Sequence, residues 1–399
     1  MKRILFITNR NILTTSGELR LIKNRAEELY NSFGVPTDFI AVQKPARINA
    51  PNREAINAGG STAAYPFAPS KVLSTWKAYK DLKREVKNRL DSGEYGMVIF
   101  SSFLLVHLIK WIKKDYNVSV VLDLHGAAED SLELARVSGL KKKLFFNLTY
   151  ASITRTYKKY YRYADGSLVV TQALEDYVRK NYEIKDNFHF YHVPCATNSL
   201  CQEKEKYLAN RKAYRQKYGI SEDEIVFIYS GGVSAWQCVE ETIQLYKQLS
   251  SALKKKTRML VFSHSFETIK KLAGNDNSIQ IDSYGPEELA KALCAGDYAF
   301  LLRRDCITNN VAFPNKFLEY VQSGMRIIAT PYIYEIARQV KGYSLGVLYK
   351  MDGDINGVVD YIDNNREATS ENYLPELINK VLIFNSFGNR LPALVEDIK

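Results

Sequence analysis

A chain of 399 residues with 46% hydrophobic and 25% charged side chains has an ordinary globular composition, enough for two domains or one large one. Five cysteines, an odd count without a C-x-x-C pair, argue for reduced thiols and against a thiolate zinc site. The formal net charge of +11 lies wholly in the first half, with 30 Lys and Arg against 19 Asp and Glu in residues 1–200 and 25 of each in 201–399. A basic half suits nucleic acid, an anionic membrane surface or a phosphorylated substrate, and is otherwise a solvated face.

The opening MKRILFIT is too short an apolar run for a secretion signal and reads as a strand over Arg3–Thr8. The loop after it, NRNILTTSGELR, leads into a helix over Glu18–Ser32. Gly17 would let backbone approach a phosphate or sugar, or Ser16 simply caps the helix; the loop is not a G-x-G-x-x-G fingerprint. A strand over Asp38–Val42 precedes Gln43–Ser70, rich in Pro, Ala, Asn and Gly, which reads as a long loop, either a lid on the acceptor side or plain flexible chain. A helix over Leu73–Asp91 and a strand over Gly96–Phe100 follow. The run MVIFSSFLLVHLIKWI breaks at His107 and Lys110, short of the roughly 20 apolar residues a spanning helix needs.

Next comes a strand over Ser119–Asp123 that runs into LHGAAEDS. Asp123, His125 and Glu129 stand at or just past its end, with Gly126 allowing a bend. A histidine there can polarise a sugar hydroxyl with a carboxylate beside it, or be structural. YASITRTYKKYYRYADG mixes basic and aromatic residues, as membrane or RNA-binding segments do, but its spacing reads as a surface helix. Strands over Gly166–Val170 and Phe188–Val193 close the first half, and a domain boundary is expected near Pro194–Leu200.

The second half repeats the alternation. Strands are expected over Glu224–Tyr229, Thr257–Ser263, Ile279–Ser283, Tyr298–Leu302, Arg326–Ala329 and Leu345–Tyr349, with helices such as Val239–Lys254 and Glu287–Ala295 between them. Alternating β and α predicts parallel sheets covered on both faces, hence two doubly wound α/β domains. Gly231 and Gly232 follow the first of these strands, either as a loop packed against a diphosphate or as a tight turn; no P-loop pattern is present. Arg303 and Arg304 end another strand. Then VAFPNKFLEYVQSG reads as a helix opened by Pro314, with Lys316 near its start and Glu319 three residues on, on the same face. A lysine there can meet a phosphate, and a carboxylate near a helix start can accept both hydroxyls of a ribose. In MDGDING, Asp352 and Asp354 read as a helix cap rather than a metal site.

Ala312 to Gly324 followed by a strand ending at Ala329–Thr330 resembles the donor motif of GT-B glycosyltransferases, specifically family 4, which reads Pro-Thr-Lys-hydrophobic-x-Glu-Tyr. VLDLHGAAED resembles the acceptor-domain segment of that family, LVVTQALEDYVRKNY the strand and helix before its linker, and VPCATN its interdomain turn. YSGG resembles the glycine loop opening its donor domain, and FNSFGNRLPALVEDI its last helix. The resemblance spans nearly the whole chain; only the donor motif is individually specific.

It implies a GT-B fold of two Rossmann-like domains facing each other across a cleft. Residues 1–198 would be the acceptor domain, with helix 384–399 crossing back to it, and 199–383 the donor domain. The implied reaction is transfer of a hexosyl-type sugar from a nucleotide diphosphate sugar to an acceptor hydroxyl, with retention and with no metal or other cofactor. By position, Glu319 would hold the ribose, Lys316 the donor, and Tyr284, Gly285 and Pro286 would flank the base. Pro314, Asn315, Gly231 and Gly232 complete the donor side. His125 and Glu129 are the catalytic candidates, and Ser16, Gly17 and Asp123 the acceptor-side ones. Two departures stand out: Val311 occupies the place of a second glutamate, and Val233, Ser234, Trp236 and Gln237 replace the arginine and lysine that bind the diphosphate. Arg303 with Lys316 is the expected substitute.

The implied setting is surface polysaccharide or glycolipid assembly in the cytoplasm. Partners would be a nucleotide sugar and a glycan or lipid-linked acceptor, with the basic half on the anionic inner face of the membrane and no nucleic acid. A non-catalytic sugar-nucleotide or glycan-binding protein and a nucleotide-sugar 2-epimerase remain as alternatives.

Overall fold

The computed structural model describes residues 2–9, 17–42, 56–57, 63–67, 75–194, 202–351, 353–365 and 373–398. The chain forms two compact units, Met1–Asn198 with Asn385–Lys399, and Ser199–Phe384.

The first unit holds β1 (Arg3–Thr8), β2 (Thr37–Val42), β3 (Ile56–Asn57), β4 (Ala63–Phe67), β5 (Tyr95–Ser101), β6 (Ser119–Asp123), β7 (Gly166–Val169) and β8 (His189–His192). They line up as β3-β4-β2-β1-β5-β6-β7-β8, and every pairing is parallel except β3 with β4. The strands are near-continuous apolar runs; β5, YGMVIFS, is buried at every position. That pattern belongs to parallel strands covered on both faces. Phe387, Leu391 and Leu394, from the end of the chain, pack in this unit's core beside Ile4, Phe6 and Leu21.

The second unit holds β9 (Ile225–Ser230), β10 (Thr257–Phe262), β11 (Ile279–Asp282), β12 (Tyr298–Leu301), β13 (Arg326–Ala329) and β14 (Gly346–Leu348), all parallel. Their order, β11-β10-β9-β12-β13-β14, is the 3-2-1-4-5-6 arrangement of a doubly wound sheet. Buried Asp297, just before β12, ties helix Lys204–Lys217 to the sheet: it accepts from Arg211 at 2.6 Å and Arg215 at 3.4 Å, and from the Val226 N–H at 2.7 Å.

The strands expected from the sequence lie within two residues of their observed bounds. One expectation is corrected. Gln43–Ser70 is not one long loop: β3 and β4 lie within it, and β4 pairs in parallel with β2 from Asp38↔Ala63 to Val42↔Phe67. AAYPF hides as a strand because Pro66 gives no N–H to a ladder and so reads as a break. The remainder of that segment lies outside the described residues, and with it any lid. Asp354 accepts from the Asn356 N–H at 3.0 Å just before helix Asn356–Asn364, whose N-cap residue is Ile355, while Asp352 lies outside the described residues. Among the described residues Cys238, Cys294 and Cys306 are not in disulfides.

Candidate functional site

In the second unit the strand order reverses between β9 and β12, and ligands of doubly wound sheets bind beyond the carboxyl ends of the strands at such a point. The loop after β9 carries Gly231, Gly232 and Gln237; the loop after β12 begins with Leu302 and Arg303. Lys316, on helix Lys316–Gln322, reaches into the same place.

These residues meet on one oxygen. Gln237 Oε1 accepts from Lys316 Nζ at 2.8 Å and from Arg303 Nη2 at 2.9 Å. The Tyr229 hydroxyl lies 3.3 Å from the same oxygen and donates to the Gly232 carbonyl at 2.6 Å. Arg303 Nη1 donates to the Leu302 carbonyl at 2.9 Å. Lys316 Nζ also stands 4.3 Å from the centre of the Tyr229 ring, within cation–π range. Both cations are deeply buried, Arg303 at 4% and Lys316 at 8% exposure. Among the described residues neither forms an ion pair with a carboxylate.

Two buried cations held by a neutral amide are electrostatically unfinished. Burial, and then the Arg303 charge, press the Lys316 ammonium well below its ordinary range; Glu319 pulls the other way without cancelling this. Burial likewise lowers Arg303. An anion arriving here would supply the missing counter-charge.

The loop is shaped for close approach. Gly231 has φ +125°, a conformation L side chains rarely adopt, and a Cβ there would stand 3.0 Å from Lys316 Nζ. Cys238 is left-handed, at φ 51°, immediately before helix Val239–Ala252. Tyr320 accepts from the Ser230 N–H at 2.9 Å and so pins the end of β9.

The helix expected to open at Pro314 begins at Lys316. Asn315 is its N-cap residue, and the Pro314 carbonyl accepts from the Phe317 N–H at 3.0 Å in the turn before it. Glu319 is half-buried one turn after Lys316, and Val311 is buried. Tyr284, Gly285 and Pro286 lie elsewhere, after edge strand β11, with Pro286 as the first residue of helix Pro286–Ala292. The Tyr284 hydroxyl donates to Asp282 at 2.6 Å and accepts from Lys217 at 2.5 Å, and its ring tilts on Phe262 at 5.7 Å.

In the first unit Asp123, at the end of β6, lies between Arg25 Nη1 and His125 Nε2, each 3.0 Å away. Burial raises the Asp123 carboxyl, but the charges and hydrogen bonds of Arg25 and His125 override it and hold it well below the usual carboxylate range. A carboxylate can only accept, so Asp123 fixes His125 with Nε2–H donating. Glu129 is committed elsewhere: it accepts from Tyr177 at 2.7 Å and Tyr150 at 3.5 Å, with no bond to His125. The carboxylate bonded to His125 is thus Asp123, in an Arg25–Asp123–His125 chain, and Glu129 stands apart with the two tyrosines. Gly17 is the first residue of helix Gly17–Phe33, and Ser16 lies outside the described residues.

Sequence reasoning missed Gln237 as a contact, because an amide carries no charge signal, and Arg25, because its partner is 98 positions away. The 3-2-1-4-5-6 order, once known, would have singled out the loops after β9 and β12.

No protein-family profile matches the chain. A glycosyltransferase of Methanocaldococcus jannaschii, described as uncharacterized, is 25% identical over 257 residues, 62% of this chain. The match spans 60% of that relative's length. Among solved structures, sucrose-phosphate synthase of Thermosynechococcus elongatus superposes with a TM-score of 0.69 at 12% identity, covering 100% of this chain and 99% of that one. WaaG, a glycosyltransferase involved in lipopolysaccharide biosynthesis, gives 0.62 at 13% identity and 99% of both chains. A trehalose-6-phosphate structure from E. coli, bound with UDP-2-fluoro glucose, gives 0.63 at 10% identity, covering 99% and 98%. The fold is that of the GT-B chains, two Rossmann-like units in one polypeptide.

Proposed function

We propose that the protein is a glycosyltransferase that moves a sugar from a nucleotide diphosphate sugar to an acceptor hydroxyl, with retention, as a family 4-like enzyme. The observation that carries this is the pair of buried cations, Arg303 and Lys316, converging on Gln237 beside a glycine loop with no anionic partner among the described residues. A diphosphate is the anion that fits. In the reaction the bond from the anomeric carbon to the diphosphate breaks and a bond to the acceptor oxygen forms, with the acceptor proton leaving. Negative charge grows on the departing diphosphate, and preorganised cations in a dry site stabilise that charge most. Glu319 is assigned the ribose, Tyr284 with Gly285 and Pro286 the base, and His125 the reacting sugar or acceptor. The UDP-2-fluoro glucose in the E. coli structure and the glycosyltransferase relative support a nucleotide sugar as donor.

The basic first unit is assigned to an anionic membrane surface, in the assembly of a surface polysaccharide or glycolipid, where each nearby Lys or Arg adds about 1 kcal/mol. WaaG's role in lipopolysaccharide biosynthesis supports that setting.

The test is release of nucleoside diphosphate from UDP- and GDP-sugars, with and without a glycan acceptor. The expected result is turnover with one donor, reduced at least a hundredfold in Lys316→Ala. A protein that binds the nucleotide yet turns over no donor would be the non-catalytic alternative.

A further inference from the structure

Helix Leu140–Tyr160 has 21 residues, none of them buried. Its inner side packs on the first unit through Tyr150, which donates to Glu129, and Tyr157, whose ring meets Tyr161 and Tyr182 edge-on at 5.6 Å. A surface helix with one side so occupied should be polar on the other. Here the outer side is apolar in its first turns: Leu140 is 87% exposed, and Leu144, Phe145 and Leu148 are each 62% exposed. Leu140, Leu144 and Leu148 follow an i, i+4, i+8 spacing, so they form one row. Val137, just before the helix, is 65% exposed.

Along this stretch of the chain the charge has one sign. From Val137 to Ala164 the chain carries Lys141, Lys142, Lys143, Arg155, Lys158, Lys159 and Arg162, and no Asp or Glu. Three of these lysines follow directly on Leu140, and Arg155, Lys158 and Lys159 are exposed farther along the helix. Among the described residues no helix is long and apolar enough to cross a membrane. An exposed leucine row set among lysines fits the boundary between acyl chains and anionic headgroups, where apolar side chains go in and long basic ones reach the phosphates. A second copy of this chain is a poor occupant, because two such helices would bring like charges together.

We propose that helix Leu140–Tyr160 is a membrane-docking element that lies in the plane of an anionic bilayer, with Leu140, Leu144 and Leu148 inserted. It rests on the reading of the protein as an enzyme of an anionic membrane surface and assigns that binding to one helix. The donor site, in the second unit, takes no part in it.

The experiment is sedimentation of the full chain with phosphatidylcholine vesicles and with vesicles also containing phosphatidylglycerol. It compares wild type with Leu144→Ser/Leu148→Ser and with Lys141→Gln/Lys142→Gln/Lys143→Gln. All these side chains are exposed, so both variants should keep the wild-type unfolding temperature, measured in parallel. Wild type is expected to partition onto anionic vesicles, and each variant at least tenfold less. Variants that bind as wild type does would overturn the helix assignment and leave the membrane reading standing. Wild type that ignores anionic vesicles would overturn both. Loss of self-association in the leucine variant, with no lipid binding by wild type, would make the row an interface between copies. Donor turnover is followed on the same samples, so that a failed catalytic reading is seen separately from a failed membrane one.

Discussion

Replacing Gln237 by glutamate puts a carboxylate where an amide oxygen now meets two buried cations, at 2.8 and 2.9 Å, with almost no change of shape. At an effective dielectric of about 20, unit charges about 4 Å apart attract by about 4 kcal/mol. Two such attractions, about 8 kcal/mol in all, are offset by several kcal/mol for burying the carboxylate and by the work of charging Lys316. A net gain of about 2 kcal/mol remains, or about 4–8 °C in the unfolding temperature of a unit the size of Ser199–Phe384. The same carboxylate occupies the electrostatic place proposed for the diphosphate, so UDP or pyrophosphate should bind at least tenfold more weakly to Gln237→Glu. Thermal unfolding with and without each anion reads both effects. A structural role for Gln237 predicts loss of stability with ligand response unchanged, and that outcome would refute the reasoning.

Because Lys316 is pressed toward its neutral form, diphosphate binding should take up a proton. Calorimetry in buffers of differing ionisation enthalpy should show this in wild type and not in Gln237→Glu. The stability of the free protein carries the matching sign: the unfolded chain binds the extra proton, so stability rises with pH toward 10.5, the ordinary lysine value. Gly231→Ala should cost about 1–3 kcal/mol, since φ +125° is strained for alanine. It should also weaken diphosphate binding by displacing Lys316 Nζ, which isothermal titration would detect. Asp123→Asn leaves buried Arg25 without its charge partner and should cost about 3–5 kcal/mol in denaturant unfolding. Asp123, depressed in the folded state, contributes stability that is full above its ordinary value of 3.8 and wanes as pH falls below it. The variant should lack that acid-side slope.

The strands were readable because parallel strands covered on both faces must be apolar throughout, as in YGMVIFS and IVFIYS. β4 escaped because AAYPF carries a proline, which gives no N–H to a ladder and reads as a break. Of the site, the glycine pair, Arg303 and Lys316 could be picked out as strand-end or helix-start residues, but only the strand order shows why they converge. Gln237 was visible merely as the residue standing where a basic one was expected. Nothing in the sequence joins Arg25 to Asp123, since the contact depends on a helix packing against β6. Glu129, a candidate by its place just past a strand end, accepts from two tyrosines of separate helices, contacts that no local pattern announces. The segment from Tyr150 read as a surface helix, but the exposed leucines on its first turns went unnoticed, because apolar residues on both faces blur the period that marks an amphipathic helix.

The central claim is that the switch point of the second sheet grips a nucleoside diphosphate. A thermal-shift titration of the full chain against UDP, GDP, ADP, dTDP and CMP, with Glu319→Ala beside wild type, tests it most directly. The account predicts stabilisation by one diphosphate and its loss in Glu319→Ala, which would name the donor class. Stabilisation by none of the diphosphates would contradict it.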